Sequence, residues 1–316
     1  MKPDMTIWFN GQLKPANEVQ VPILAHALHY GSSVFEGIRC YATPDGPAVF
    51  RLADHVDRLF DSASIYRMQL KHGREELASA CKDTVRANGL RSAYLRPIAL
   101  RGVCGLGVAA PEDGPVDVAI IAMEWGAYLG EEGLKHGIDV CVSSWNRAAQ
   151  NTFPAAAKAG GNYLNSQLIA MEARRNGYAE GIALAPDGTL SEGSGENLFV
   201  IRKGVLYTPP AAASILVGIT RDTVFELARD LGLKVVEQTL PRDMLYLADE
   251  IFLTGTAAEI TPVRSVDRQP IGNGRRGPIT ASLQERFFGL FDGRTQDRWG
   301  WLDMVENVAA PVAEVA

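Results

Sequence analysis

The sequence holds only four cysteines, Cys40, Cys81, Cys104 and Cys141, and no two of them form a C-x-x-C pair. That spacing excludes a disulfide framework and a cysteine-based zinc site, and it points to reduced thiols in a cytoplasmic protein. No apolar run is long enough to span a bilayer, and the opening Met1-Lys2-Pro3-Asp4-Met5-Thr6 has no apolar signal core, so no membrane partner is expected. Positive charge is not in excess. With 31 Lys+Arg against 37 Asp+Glu the formal net charge is -6, which argues against a general nucleic-acid surface but leaves room for a local basic pocket. There is no P-loop and no G-x-S-x-G elbow. His26 and His29, with Glu36 nearby, lack the H-x-x-x-H spacing of a helical metal site, so they are read as hydrogen-bonding histidines and no metal is expected. Gly105-Leu106-Gly107-Val108-Ala109-Ala110 has the letters of a dinucleotide fingerprint, but Pro111, Gly114 and Pro115 follow where a helix would have to run.

What is present is an ordinary globular composition, 47% hydrophobic and 22% charged, over 316 residues, enough for two domains with a sizeable core each. Ile7-Trp8-Phe9 followed by Asn10-Gly11 reads as a strand entering a type I′ hairpin. Apolar positions Val56, Leu59, Phe60, Ala63 and Ile65 predict a helix over 52–68, and it places His55 and Arg58 on one face. A second helix is predicted over 74–87, closing at Asn88-Gly89, before strands at 94–100 and 116–124. These elements make a smaller N-terminal α+β domain, 1–125, joined by an interdomain loop, 126–135, to a larger C-terminal domain, 136–316. In the second part, helices are expected over 162–176 and from Gly218-Ile219-Thr220 to about Gly232. A polar loop, 191–197, is expected between strands at 182–185 and 198–201.

Lys158 stands out. It lies in Ala155-Ala156-Ala157-Lys158-Ala159-Gly160-Gly161, with no charged neighbour for several residues on either side. A desolvated amine is one that can act as a nucleophile toward a carbonyl. Gly218-Ile219-Thr220 puts converging amides, a hydroxyl and a helix dipole where an anion would bind, and Gly255-Thr256-Ala257 offers a similar small turn at a strand end. Arg58 supplies a fixed positive charge, and Glu192 is a carboxylate in a glycine- and serine-rich stretch where packing does not require it. Taken together, an amine, a phosphate cup and an acidic partner for a ring nitrogen are what pyridoxal 5′-phosphate needs.

Eight segments in order carry a resemblance that runs from about Trp8 to Asp303: Tyr30-Gly31 with Phe35-Glu36-Gly37-Ile38-Arg39, His55-Val56-Asp57-Arg58, Tyr94-Leu95-Arg96-Pro97, Trp125-Gly126-Ala127-Tyr128, Lys158 to Ser166, Ser191 to Phe199, Gly218 to Arg221, and Gly255 to Ile260. The chain resembles the branched-chain amino-acid aminotransferases of the fold type IV pyridoxal-phosphate enzymes. The resemblance implies a mixed α/β, two-domain fold of the D-amino-acid-aminotransferase type. It also implies transamination between leucine, isoleucine or valine and 2-oxoglutarate.

By position it implies that Lys158 holds the cofactor and serves as the acid and base of the proton shift. Glu192 would pair with the pyridine nitrogen and Tyr163 with the phenolic oxygen. Arg58, Gly218, Ile219, Thr220, Gly255 and Thr256 would form the phosphate cup. Tyr94 and the amides of Thr256 and Ala257 would grip the substrate carboxylate, while Tyr30, Phe35, Gly37, Trp125, Tyr128 and Tyr163 line the side-chain pocket and Arg96 meets the distal carboxylate of glutamate. Other members of the fold, D-amino-acid and (R)-amine aminotransferases and aminodeoxychorismate lyases, remain alternatives, as does an inactive amino-acid-binding protein. The apolar, glycine-rich stretch 102–111 would expose Val103, Leu106 and Val108 if left in water. The resemblance implies that it reaches a neighbouring subunit, with Leu106 and Val108 closing the partner's pocket, in a homodimer at least or a hexamer built from three dimers.

Overall fold

Two sheets organise the chain. The computed structural model describes residues 5–126 and 129–305. The first sheet has eight strands, all paired antiparallel, and its longest pair is Ala93–Arg101 with Val116–Met123. It opens on the hairpin Thr6–Phe9 to Gln12–Pro15, where Asn10 and Gly11 both take positive φ, 47° and 92°, as a type I′ turn requires. The helices Leu52–Ile65 and Arg74–Ala87 bury Leu52, Val56, Leu59 and Ala63, and Leu77, Ala80, Cys81 and Val85, against Ile38, Leu95 and Ile120 of this sheet. Those spacings of three and four are one face of a helix, so the apolar period alone decides both elements.

The second sheet has nine strands and is mixed, with Ile138–Val142 parallel to both Glu180–Leu184 and Glu259–Val266. Its central strands are buried on both faces. Phe199, Ile201 and Phe252 point into one core with the helices Ile219–Asp230 and Pro278–Asp292, while Leu198, Val200, Ile251 and Leu253 point into the other. Period-two alternation between two apolar layers gives a nearly continuous hydrophobic run in the sequence. The mixed α and β architecture is therefore the expected one.

Two features depart from the sequence reading. Leu190–Gly193, read as part of a polar loop, is a strand buried along its whole length. Its polar side chains find partners inside the protein, as when the Ser191 hydroxyl donates to Ala213 O at 2.6 Å. The second departure is at the far end of the chain, where Leu302–Met304 leaves the second sheet's side and pairs with Gly46–Phe50 on the edge of the first.

Arg51 ties the two parts together. It sits in the left-handed region at φ 53°, before the helix Leu52–Ile65, and its guanidinium bonds Asp54 at 2.7 Å and Asp222 at 2.6 Å and lies over the Trp301 ring. A non-glycine residue in that region costs about 1–3 kcal/mol unless its surroundings hold it, and here they do.

Candidate active site

Lys158 belongs by sequence to the second half of the chain but is pinned to the first sheet. The Phe35 N–H donates to Lys158 O at 3.0 Å, the Lys158 N–H donates to Ser62 Oγ at 3.0 Å, and Ala157 and Ala159 are buried in the first core. The run of small residues is needed for this approach. A Cβ on Gly160 would lie 2.4 Å from Ser33 Oγ. From there the Lys158 amine points into a cleft between the two sheets and donates to the Tyr163 hydroxyl at 2.7 Å, at the first turn of the helix Tyr163–Arg175. The Phe35 ring packs edge-on against Tyr163, with ring centres 4.8 Å apart, and closes one wall.

Glu192 faces the same cleft from the second sheet and is buried. Its carboxylate accepts from Arg147 Nη2, from Asn197 Nδ2 at 3.0 Å and from the Leu216 N–H at 3.2 Å. Burial pushes this carboxyl up, and the Arg147 guanidinium works against that. Two neighbouring acids, Glu180 and Glu196, are also pushed up by burial, Glu196 furthest because it feels the Glu180 charge as well. Of the three, only Glu192 has an arginine hydrogen-bonded to it, so it is the one equipped to carry a charge. Sequence reasoning missed Arg147, although a signal was available. It is the only charged residue between Asp139 and Lys158. Gly218 has a role beyond opening a helix, since a Cβ there would come within 2.1 Å of Asn197 Oδ1 and dislodge the side chain that holds Glu192.

The remaining predicted residues line the same cleft. Arg58, Ile219, Thr220, Gly255 and Thr256 do so together with the start of the 12-residue helix Ile219–Asp230, and Tyr94, Arg96, Trp125 and Ala257 complete the lining. Gly37 leaves room for Tyr94, because a Cβ on it would meet the Tyr94 hydroxyl at 2.0 Å. Arg96 lies over the Phe35 ring and donates to Tyr94 OH at 3.1 Å. Its buried Nε, like the buried Thr254 Oγ1, has no hydrogen-bond partner among the described residues. Two unpartnered polar atoms buried beside a cleft that also holds the Arg58 and Arg96 guanidinium groups fit an anionic ligand.

Arg39, which the sequence offers only as part of a motif, holds the backbone on either side of this lining. Its guanidinium donates to Thr256 O and Ala257 O, both at 3.4 Å, and to Trp125 O and Gly126 O at 3.1 and 3.2 Å. Because a peptide unit is planar and trans, drawing a carbonyl to one side turns the following N–H to the other. Tyr128 lies outside the described residues. Tyr30, Leu106 and Val108 do not line this chain's own cleft. Tyr30 instead donates to Leu106 O at 2.5 Å, and with His26, whose Nε2 is 3.1 Å from Gly107 O, it fixes an exposed loop in which Val108 is 79% accessible. Among the described residues no group of three or more His, Cys, Asp or Glu side chains is placed to hold a metal, and no helix is long and apolar enough to cross a membrane.

The family described as amino-transferase class IV matches residues 33–266, most of the chain. A branched-chain-amino-acid aminotransferase of Escherichia coli (strain K12) is 58% identical over 301 residues, 95% of this chain and 97% of that protein. The chain belongs to the class IV branched-chain-amino-acid aminotransferases. Solved structures agree with the placement of this class IV aminotransferase. The crystal structure of the Escherichia coli branched-chain amino acid aminotransferase superposes with a TM-score of 0.95 at 57% identity, covering 96% of this chain and 100% of the other. The branched-chain aminotransferase from the thermophilic archaeon Thermoproteus uzoniensis, solved with norvaline, gives 0.91 at 42% identity, covering 96% and 99%.

Proposed function

We propose that this aminotransferase moves an amino group between leucine, isoleucine or valine and 2-oxoglutarate, with pyridoxal 5′-phosphate as its cofactor, giving branched-chain 2-oxo acids and L-glutamate. The observation that carries the reading is the cleft in which the Lys158 amine, on Tyr163, and the arginine-backed Glu192 carboxylate face one space. When bound, the cofactor supplies an electron-accepting ring that makes the substrate Cα–H acidic enough to remove. Lys158 Nζ, held on the Tyr163 hydroxyl, would take that proton and redeliver it to the cofactor side within the same half-reaction, and would run the transfer in reverse in the second one. Glu192 would hold a proton on the ring nitrogen, and the Arg147 guanidinium favours its charged form against burial, which pushes the carboxyl up. Arg58 and the helix start at Gly218–Thr220 bind the phosphate.

The same pocket has to receive an aliphatic side chain and an acidic one. Phe35, Trp125 and Tyr163 give apolar walls, and Arg96, with its unpartnered Nε, gives a charge that glutamate can reach and leucine does not need. The family relatives are branched-chain enzymes, which favours this reading over a D-amino-acid or (R)-amine donor. A panel of amino donors with 2-oxoglutarate tests it. Leucine, isoleucine and valine should all be good donors, and a preference for D-alanine or (R)-1-phenylethylamine over all three would refute the assignment. In the same assay Arg96→Ala should cost the glutamate half-reaction roughly 2–5 kcal/mol more than the leucine one, the loss expected when one partner of a buried charged pair is removed. Equal losses in both half-reactions would take the distal carboxylate away from Arg96.

The assembly belongs to the proposal as well. Leu106 at 57% and Val108 at 79% accessible sit on a loop that Tyr30 and His26 hold in place, and Ile23, Leu24 and Leu28 are exposed beside them. An apolar surface held in a defined shape suits a second copy of the chain better than water. The working form is therefore a homodimer at least, acting in the cytoplasm, with Leu106 and Val108 closing the partner's side-chain pocket. Val108→Asp should weaken the dimer in sedimentation and raise the Michaelis constant for leucine together. A wild-type monomer with full activity at assay concentration would sink this part.

A further inference from the structure

The guanidinium assigned to the cofactor phosphate is itself held from behind by a group that faces no solvent. Glu36 follows the strand Ser33–Phe35, immediately before Gly37, and is 0% exposed. Its Oε1 accepts from Arg58 Nε at 2.7 Å and its Oε2 from Arg58 Nη2 at 2.8 Å, a two-point clamp. Oε2 also accepts from His55 Nδ1 at 2.7 Å and, at 3.3 Å, from the Gly37 N–H. Burial pushes the Glu36 carboxyl up, but Arg58 and then His55 more than offset it, and the group is held well below the usual carboxylate range. Burial pushes His55 down while the Glu36 carboxylate works against that, and an ionised carboxylate in front of Nδ1 keeps a proton on that nitrogen. The third Arg58 nitrogen, Nη1, donates to Val217 O at 3.1 Å, one residue before the helix start. Three of the five guanidinium N–H groups are thus spent on the protein, leaving one on each terminal nitrogen for a ligand.

A structural ion pair could end there. Two points argue for more. The clamp fixes the plane of a side chain that lines the cleft, and it does so with a residue from a different element, since Arg58 is on the helix Leu52–Ile65 and Glu36 is not. His55, one turn before Arg58 on the same helix face, then stops the carboxylate from turning. We infer that Glu36, backed by His55, is a positioning residue for the cofactor phosphate: it sets the Arg58 guanidinium so that its two remaining N–H groups meet the phosphate oxygens. This rests on the proposed phosphate role of Arg58.

The test compares two ligands that differ only in the phosphate. Full-length protein freed of cofactor is titrated with pyridoxal 5′-phosphate and with pyridoxal, following tryptophan fluorescence, for wild type, Glu36→Gln, Arg58→Ala and the double variant. Glu36→Gln should weaken pyridoxal 5′-phosphate about tenfold or more and pyridoxal by less than about twofold, the size expected for a lost charge-assisted hydrogen bond. In the Arg58→Ala background the same change should add less than about twofold, because the residue it acts through is gone. Equal weakening of both ligands makes Glu36 a structural residue and overturns the inference. If Arg58→Ala weakens the phosphorylated ligand and Glu36→Gln does not, the inference falls while the phosphate cup stands. If Arg58→Ala itself has no effect, the phosphate reading fails first. Should Glu36→Gln not fold, Glu36→Asp keeps the charge but is one methylene too short for the clamp, and it is titrated the same way with the same outcomes.

Discussion

Replacing Lys158 by alanine should lower transamination from leucine to 2-oxoglutarate by about 10⁴-fold or more, because a proton carrier and a covalent anchor are lost in one change. Nothing else in the cleft is placed to take over. Among the described residues, the basic side chains lining it with Lys158 are Arg58, Arg96 and Arg147, and an arginine does not give up its proton. The substitution is also a mild one for the fold, since the backbone bonds to Phe35 and Ser62 that seat the segment do not involve the side chain. The variant should therefore remain folded and keep the phosphate cup, so that loss of rate is not confounded by loss of structure. Measured turnover within tenfold of wild type, or a covalently bound cofactor that maps to another lysine, would reject Lys158 as the reactive amine.

Glu192→Gln should slow turnover by roughly 10²-fold or more, the scale on which removing one preorganised electrostatic partner acts. The position is demanding. Arg147 donates to one carboxylate oxygen and Asn197 to the other, so a glutamine carbonyl can serve only one of them and the amide NH2 is left against the second donor. A neutral amide also brings no negative charge with which to hold a proton on the ring nitrogen. Single-turnover reaction with leucine should show the defect in the proton-transfer step, with the cofactor still bound. An unchanged rate would reduce Glu192 to a buried acid whose partners are structural.

Much of the fold was legible because the physical signals were local. The helices over Leu52–Ile65 and Arg74–Ala87 follow from apolar period, and the first hairpin follows from Asn10-Gly11. Leu190–Gly193 was not legible as a strand. Ser191 and Glu192 are polar, and what makes them tolerable inside a sheet is a set of partners well away in sequence, Ala213 and Arg147 among them. The cleft was legible as a set of residue types but not as a space. Lys158 reads as a lysine in a loop until the bonds to Phe35 and Ser62 tie it to the first sheet, and Arg39 and Arg147 act through carbonyls and carboxylates that no spacing in the sequence connects. The pairing of Leu302–Met304 with the first sheet was not legible either, since three residues have no period from which it could be read.

That returning strand bears on how the chain comes off the ribosome. Gly46–Phe50 is made about 250 residues before the segment that covers its outer edge, Leu302–Met304, and before the Trp301 carbonyl that accepts from the Arg51 N–H. At ordinary rates of synthesis the interval is on the order of tens of seconds. Throughout it the nascent first sheet carries an open edge next to Phe50, a residue whose own packing, against Phe287, Phe291 and Trp301, also waits for that later sequence. An unpaired edge with an uncovered aromatic is a template for association with other unfinished chains. The first sheet is thus synthesised as an incomplete object, and its need for protection during translation lasts until Leu302–Met304 closes it.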